Sequence, residues 1–289
     1  MPAWKTAATG IVVSMFLVSP AAAIALTTFS SSVQIYVQPG VVMRPGGGGG
    51  GGSPPQKFTC PTVSGADSSV CSTNWSGFAV TGSTDSVSAA YGSWVVPSVT
   101  CSSRGTSYAA FWVGIDGYSD STVEQTGIFA ECSNGAATYS AWYEFYPAAS
   151  VSISSVKVAP GDVVTASVTY SSTSGEFTTT ISSSGGGSYS TSSAVSGADR
   201  SSAEWIVERP EVCSFTCSLT TLANFGTGDL GSDYTSVSGT NTATLGSTTG
   251  PISSFTTAAI TMVSGSSGPV LAEPTSLSAD GTSFQVNYS

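Results

Sequence analysis

The sequence contains no histidine and very little charge. Its 289 residues include 7 Lys+Arg and 17 Asp+Glu, 8% charged against roughly 25% in an ordinary soluble domain, for a formal net charge of -10. Without histidine there can be no Ser-His-Asp or Cys-His triad, no His-ligated zinc and no imidazole exchanging protons near neutrality. So few cations cannot form the clustered patch that a phosphate backbone requires, which excludes nucleic acid as the partner. Acid unfolding is driven by protonating paired carboxylates and by charging buried histidines. This chain has few of the first and none of the second, so its composition predicts tolerance of acid. Long apolar runs are also missing. The run Gly10 to Val18 (GIVVSMFLV) is too short to span a bilayer.

That run does fit a secretory signal peptide over residues 1–23. Lys5 supplies the positive start, and Pro20 with Ala21-Ala22-Ala23 offers small residues for cleavage. Residues 24–57 read as a short propeptide or linker, because Gly46 to Gly52 is an unbroken glycine run flanked by Arg44-Pro45 and Ser53-Pro54-Pro55. The remaining residues, 58–289, read as one domain of a secreted, extracellular protein that is a monomer with no membrane contact once the leader is removed. An even count of six cysteines in such a chain implies disulfides. Cys213 and Cys217 are close enough to clip a turn, and nearness in sequence pairs Cys60 with Cys71 and Cys101 with Cys132. No Cys-x-x-Cys pair is present, so neither a metal site nor a cofactor is expected.

From about residue 70 onward, short β-type runs alternate with Gly, Ser, Asn and Asp. Examples are Phe78-Ala79-Val80, Ser93 to Val96, Ala110 to Ile115, Ala141 to Tyr146, Val163 to Tyr170, Phe177 to Ile181, Glu204 to Val207 and Ile260 to Val263. No stretch sustains a helical period. The expected fold is all-β, a single large sandwich of two sheets, with Gly185-Gly186-Gly187 in an exposed loop.

Alternation along a strand sorts side chains by face. In Ala141 to Tyr146, the residues Trp142, Glu144 and Tyr146 share one face, while Tyr143 and Phe145 take the other, toward the core. A carboxylate between two large aromatics suits neither a core nor a plain solvent face, and suggests an aromatic-lined groove. In Ala203 to Glu208, the residues Glu204, Ile206 and Glu208 oppose Trp205 and Val207. In Phe111 to Gly117, Trp112, Gly114 and Asp116 share a face, and the small Gly114 would leave room for a ligand. Gln125 lies opposite to Glu124.

Taken together, Asn74-Trp75-Ser76-Gly77, Trp94-Val95-Val96-Pro97, Trp112-Val113-Gly114-Ile115-Asp116-Gly117, Gln125-Thr126-Gly127, Ala141-Trp142-Tyr143-Glu144-Phe145-Tyr146-Pro147 and Ala203-Glu204-Trp205-Ile206-Val207-Glu208 resemble, in order and spacing, the motifs of the glutamic peptidases, or eqolisins. The resemblance covers roughly residues 73–225 and continues weakly to the C-terminus. It implies a concanavalin-like sandwich of two antiparallel sheets with the site on the concave face of one of them. It implies polypeptide substrates, hydrolysis in acid, no cofactor, and a catalytic pair of Gln125 and Glu208. By the same resemblance, Trp75, Trp112, Asp116, Trp142, Glu144 and Tyr146 surround the substrate cleft.

The sequence departs from the family in one respect. Ile128-Phe129 and Ser140 stand where some members carry acidic residues. Glu204 shares the strand face of Glu208 and is a rival for its role. Two other readings remain open at this stage. One is a glycoside hydrolase using Glu144 and Glu208 across an aromatic groove. The other is a binding module using Trp75, Trp112 and Trp142 as a platform without turnover.

Overall fold

A computed structural model describes residues 60–213, 217–265 and 268–289, together with the backbones of two short strands nearer the N-terminus. Those two are β1 (Gln34–Tyr36) and β2 (Val42–Met43). The expected signal peptide, the glycine run and the domain start at residue 58 lie outside the described residues. The strands that follow are β3 (Ser68–Ser72), β4 (Trp75–Thr81), β5 (Val87–Val95), β6 (Thr106–Ile115), β7 (Val123–Ser133), β8 (Ala136–Tyr146) and β9 (Val151–Ile153). Next come β10 (Val163–Ser171), β11 (Glu176–Ser183), β12 (Ser188–Ser193), β13 (Ser202–Glu208), β14 (Glu211–Cys213) and β15 (Cys217–Leu219). The last six are β16 (Thr227–Leu230), β17 (Thr242–Leu245), β18 (Thr248–Pro251), β19 (Thr256–Val263), β20 (Val270–Pro274) and β21 (Phe284–Tyr288). Among the described residues, a short α-helix, α1 (Ser232–Thr235), and a 3-10 turn, Ile252–Ser254, interrupt the strands.

Pairing sets β1, β14 and β15 apart as a three-stranded sheet and resolves most of the other strands into two layers. The front layer runs β3, β19, β4, β13, β6, β7, β8, β9. The back layer runs β12, β11, β10, β5, then β16 and β17 side by side along β5, and on through β21 to β20. β20 also pairs with the end of β19 and so joins the layers at one edge. Among the described residues, every pair of strands is antiparallel except β3 with β19.

Alternation gives the front layer two buried faces. Phe78, Phe111, Val113, Trp205 and Val207 point inward and pack with Trp94, Val164, Val168 and Phe177 of the back layer. Trp205 satisfies its indole N–H on Tyr91 O at 2.8 Å, so it can lie in this core. The residues between them in sequence point outward. There Trp75, Ala79, Ala110, Trp112, Phe129, Trp142 and Ile206 form a second, separate apolar cluster. Tyr143 and Phe145 pack on the inner core, while Tyr146 packs on the outer cluster, as the alternation predicts. Gly185 to Gly187 turn between β11 and β12. The three disulfides are Cys60–Cys71, Cys101–Cys132 and Cys213–Cys217, as expected.

Candidate active site

Three rows of cross-strand neighbours lie on the outer face of the front layer. One row is Ala79, Glu204, Gly114, Gln125, Glu144. The next is Gly77, Ile206, Trp112, Gly127, Trp142. The third is Trp75, Glu208, Ala110, Phe129, Ser140. Gln125 and Glu208 therefore share a face, two strands apart and two rows apart, with Trp112 in the row between them.

Trp112 links the outer rows. Its Nε1 donates to Glu208 Oε2 at 3.0 Å. At its other end the ring lies over Gly114: a Cβ there would sit 2.9 Å from Trp112 Cζ3 and 3.2 Å from Gln125 Cβ. Gly114 thus admits the indole, and the space above it is filled by this chain rather than left for a ligand. Gly127 is needed for a different reason, since a Cβ would fall 2.1 Å from Phe111 O and 2.7 Å from Trp112 Cβ.

The other oxygen of Glu208, Oε1, accepts from Asn74 Nδ2 at 3.4 Å. Asn74 is held by Ser72, whose hydroxyl donates to Asn74 Oδ1 at 2.8 Å and accepts from the backbone N–H groups of Asn74 and Trp75. The end of β13 is fastened to the same segment, because Arg209 N donates to Asn74 O at 3.0 Å and Arg209 Nε to Thr73 O at 2.6 Å. The sequence motif alone does not reveal the contact of Asn74 with Glu208. The signal available was the Asn-Trp pair at the start of β4, opposite the end of β13.

Gln125 Nε2 donates to Glu144 Oε2 at 2.8 Å. Trp75 meets Trp112 edge-on, with centroids 4.9 Å apart at 73°. Trp142 stacks on Phe129 at 4.9 Å and 17°. Phe129, one of the departures noted in the sequence, thus packs its apolar ring against the buried Trp142. Trp75, Trp112, Trp142, Gln125, Glu144 and Glu208 are all fully buried. Asp116 follows β6 with a positive φ of 70°, and its carboxyl oxygens accept from Arg200 N at 2.7 Å and Ser201 N at 2.8 Å. It clamps the start of β13 at the far end of the sheet from Glu208.

A group of acids surrounds that end. Glu204 and Glu124 are fully buried, and no hydrogen bond of ordinary geometry reaches either carboxyl among the described residues. Ser202 lies near enough to Glu204, and Thr122 to Glu124, to favour ionisation slightly. Burial outweighs this. Desolvation, followed by repulsion from Asp116 and Asp120, raises Glu124 to about 9. Desolvation and then Asp120 raise Asp116 to about 7. Glu204 is raised well above the ordinary value, first by desolvation and then by Asp116, Asp120 and Glu124. Glu204, Glu124 and Asp116 thus hold their protons well above the ordinary carboxylate range. Glu211, Cys213 and Cys217 bring potential metal-ligand atoms together, but both sulfurs are spent in a disulfide.

Residues 73–288 match the Peptidase A4 family. Aspergillopepsin-2 of Aspergillus niger is 31% identical over 57% of this chain and 64% of its own length. Scytalidopepsin B of Scytalidium lignicola is 39% identical over 53% of this chain and 58% of its own length. The chain thus spans about three-fifths of each of these relatives. A solved structure of scytalido-glutamic peptidase with a transition state analog inhibitor superimposes with a TM-score of 0.60 at 22% identity, over 75% of this chain and 98% of the other. At that identity it attests the fold alone. Aspergilloglutamic peptidase from Aspergillus niger gives 0.50 at 30% identity, over 63% and 99%.

Proposed function

Because the chain belongs to the Peptidase A4 family, we propose that it is a glutamic endopeptidase that hydrolyses peptide bonds in acid, with Gln125 and Glu208 as its catalytic pair. The observation that carries this reading is the setting of Glu208. It is a buried carboxyl whose two oxygens accept from Trp112 Nε1 and Asn74 Nδ2, on the sheet face that also bears Gln125. Such donors hold one carboxyl orientation.

In the reaction, ionised Glu208 takes a proton from water as the water attacks the scissile carbonyl. Gln125 supplies an amide N–H to the developing oxyanion, and its carbonyl oxygen orients the water. One such donor typically contributes about 3 to 4 kcal/mol to transition-state stabilisation. Glu208, now protonated, delivers its proton to the leaving nitrogen. No covalent bond to the enzyme forms. Glu144 fixes the amide of Gln125 through the 2.8 Å hydrogen bond, which leaves it poorly suited to act as the second carboxyl of a glycosidase pair. The buried acids Glu204, Glu124 and Asp116 favour an enzyme that works where they stay neutral. Three disulfides favour an oxidising, extracellular setting.

The test is to offer denatured protein and polysaccharide in parallel at acid pH, about 3 to 4. Cleavage of the protein alone is expected. Cleavage of the polysaccharide alone would transfer the site to sugar hydrolysis, and binding without turnover would make it a recognition module.

A further inference from the structure

The outer face of the back layer is a field of hydroxyls with an aromatic ring set into it. Register places Thr242, Tyr91, Ser167, Thr180 and Ser190 side by side across β17, β5, β10, β11 and β12. The neighbouring row is Ser93, Thr165, Ser182 and Ser188. Hydroxyls pair between strands, Thr165 with Ser182 at 2.6 Å and Thr180 with Ser190 at 2.9 Å. Tyr91 is 38% exposed. The loop 237–240, between α1 and β17, closes one side of this field. With Tyr91 and Ser167 it lines a cleft of about 230 Å³.

Both walls of the cleft are fastened to the core. Tyr91 O accepts from the Trp205 indole N–H at 2.8 Å, which fixes the backbone that carries the exposed ring. Ser93, two residues on, ties down the loop. Its N–H donates to Asn241 Oδ1 at 3.1 Å, and its hydroxyl pairs with Thr235 Oγ1 at 2.7 Å. Little ordering is left to offset when a ligand enters.

The lining selects the ligand. Among the described residues no charged side chain lines the cleft, so neither a phosphate nor an ammonium group finds a counter-charge there. β5, β10 and β11 are each paired on both sides, so an extended peptide cannot join as a further strand. The remaining fit is a neutral molecule that donates and accepts hydrogen bonds and has an apolar flank. A bonded pair of hydroxyls still offers one hydrogen and free lone pairs to a third partner. Tyrosine joins an apolar ring to a polar tip. A sugar ring has the matching pattern, with C–H groups on its face and hydroxyls around its edge. The cleft is smaller than the roughly 300 to 1,000 Å³ of those that enclose a drug-sized ligand, so it seats a single ring of a chain.

We propose that the Tyr91 cleft binds neutral glycan chains, one ring against Tyr91 and its neighbours along the hydroxyl rows. The site lies on the layer opposite Gln125 and Glu208, with the inner core between them. A glycan held there leaves the front face free, and keeps the enzyme on sugar-bearing protein or on polysaccharide mixed with protein. That consequence rests on the peptidase reading given above, whereas glycan binding does not.

The experiment measures retention of the full chain on immobilised glucan, mannan and xylan in acid, about pH 4, with each variant shown folded by its Tm. Retention of the parent on at least one of them is expected. Tyr91→Ala should weaken it about tenfold. Ser167→Val, which removes a lining hydroxyl and suits a strand, is the independent variant and should also weaken it. Tyr234→Ala removes an exposed ring outside the cleft, and Glu208→Ala alters the other layer; both should bind as the parent does. Cleavage of a glycoprotein and of its deglycosylated form separates the two sources of sugar. If protein-linked glycan is bound, Tyr91→Ala should raise KM about tenfold for the glycoprotein alone and leave kcat unchanged. Retention on polysaccharide with equal cleavage of both forms by parent and variant would keep the site and assign it to free polysaccharide. Retention that survives Tyr91→Ala, retention lost with Glu208→Ala instead, or no retention together with equal cleavage of both forms, overturns the proposal. Retention of a protein that never cleaves polypeptide would keep the site and reject the peptidase reading.

Discussion

Trp112 and Glu208 come from strands separated by 96 residues in sequence, yet the indole N–H of one donates to the carboxyl of the other at 3.0 Å. Hydrogen bonds to a charged group are worth about 1.5 to 3 kcal/mol. Trp112→Phe keeps most of the ring and removes the donor. It should lower kcat/KM by about 10- to 100-fold and move the low-pH limb of the profile upward, because ionised Glu208 loses a partner. An unshifted limb would mean that the indole does not tune this carboxyl.

Gly114 and Gly127 separate catalytic from structural effects. A methyl at Gly114 presses on the edge of the Trp112 ring at 2.9 Å, a side chain that can yield. Gly114→Ala should fold, lose about 1 to 3 kcal/mol of stability and lose activity by displacing the indole. A methyl at Gly127 meets backbone at 2.1 Å, which cannot yield without parting β6 from β7. Gly127→Ala should depress Tm far more, or fail to fold. Thermal unfolding of the two variants, with kcat/KM for the first, checks both expectations.

The buried acids predict how stability varies with pH. Asp116 at about 7, Glu124 at about 9 and Glu204 well above its ordinary value all bind protons more tightly folded than unfolded. Their contribution is therefore complete below about pH 4 and is lost as pH rises through the folded values. Tm should be highest in acid and fall steadily toward neutrality. Glu124→Gln removes a cost on the order of 3 kcal/mol at pH 7. It should raise Tm there by about 10 °C and change little at about pH 3. A Tm that climbs toward neutral pH would contradict the picture.

Glu204 and Glu208 share a face and differ in surroundings. Glu208 accepts hydrogen bonds from Trp112 and Asn74, while burial and then the neighbouring acids Asp116, Asp120 and Glu124 raise Glu204 well above the ordinary carboxylate range. Glu204→Gln preserves a neutral polar group and should keep most of the activity at acid pH. Glu208→Gln should abolish it. The reverse result, read as kcat/KM for each purified variant, would exchange their roles.

Much of this arrangement was legible in the sequence because strands impose a period of two. The split of Trp142, Glu144 and Tyr146 from Tyr143 and Phe145 follows from alternation, and so does the shared face of Glu204, Ile206 and Glu208. The disulfides followed from nearness along the chain. Contacts set by register across distant strands were not legible. Asn74 reaches Glu208 across 134 residues, and no local pattern announces it. Gly114 suggests an opening in the sequence, because a glycine says only that a side chain is missing and not that the Trp112 ring fills the space. The acid group of Asp116, Asp120, Glu124 and Glu204 forms where three separate segments end together. The pairing of β1 with β14 and of β2 with β3 joins short, weakly patterned segments to edges far along the chain.

The central claim is that one amide and one carboxyl perform the hydrolysis. It is tested most directly by cleavage of denatured protein at acid pH, about 2 to 5, by the parent, Gln125→Ala and Glu208→Ala proteins, each shown folded by its Tm, with pepstatin present to silence contaminating aspartic peptidases. Cleavage by the parent and at least a hundredfold loss in each variant are expected. Parent-like turnover by either folded variant would contradict it.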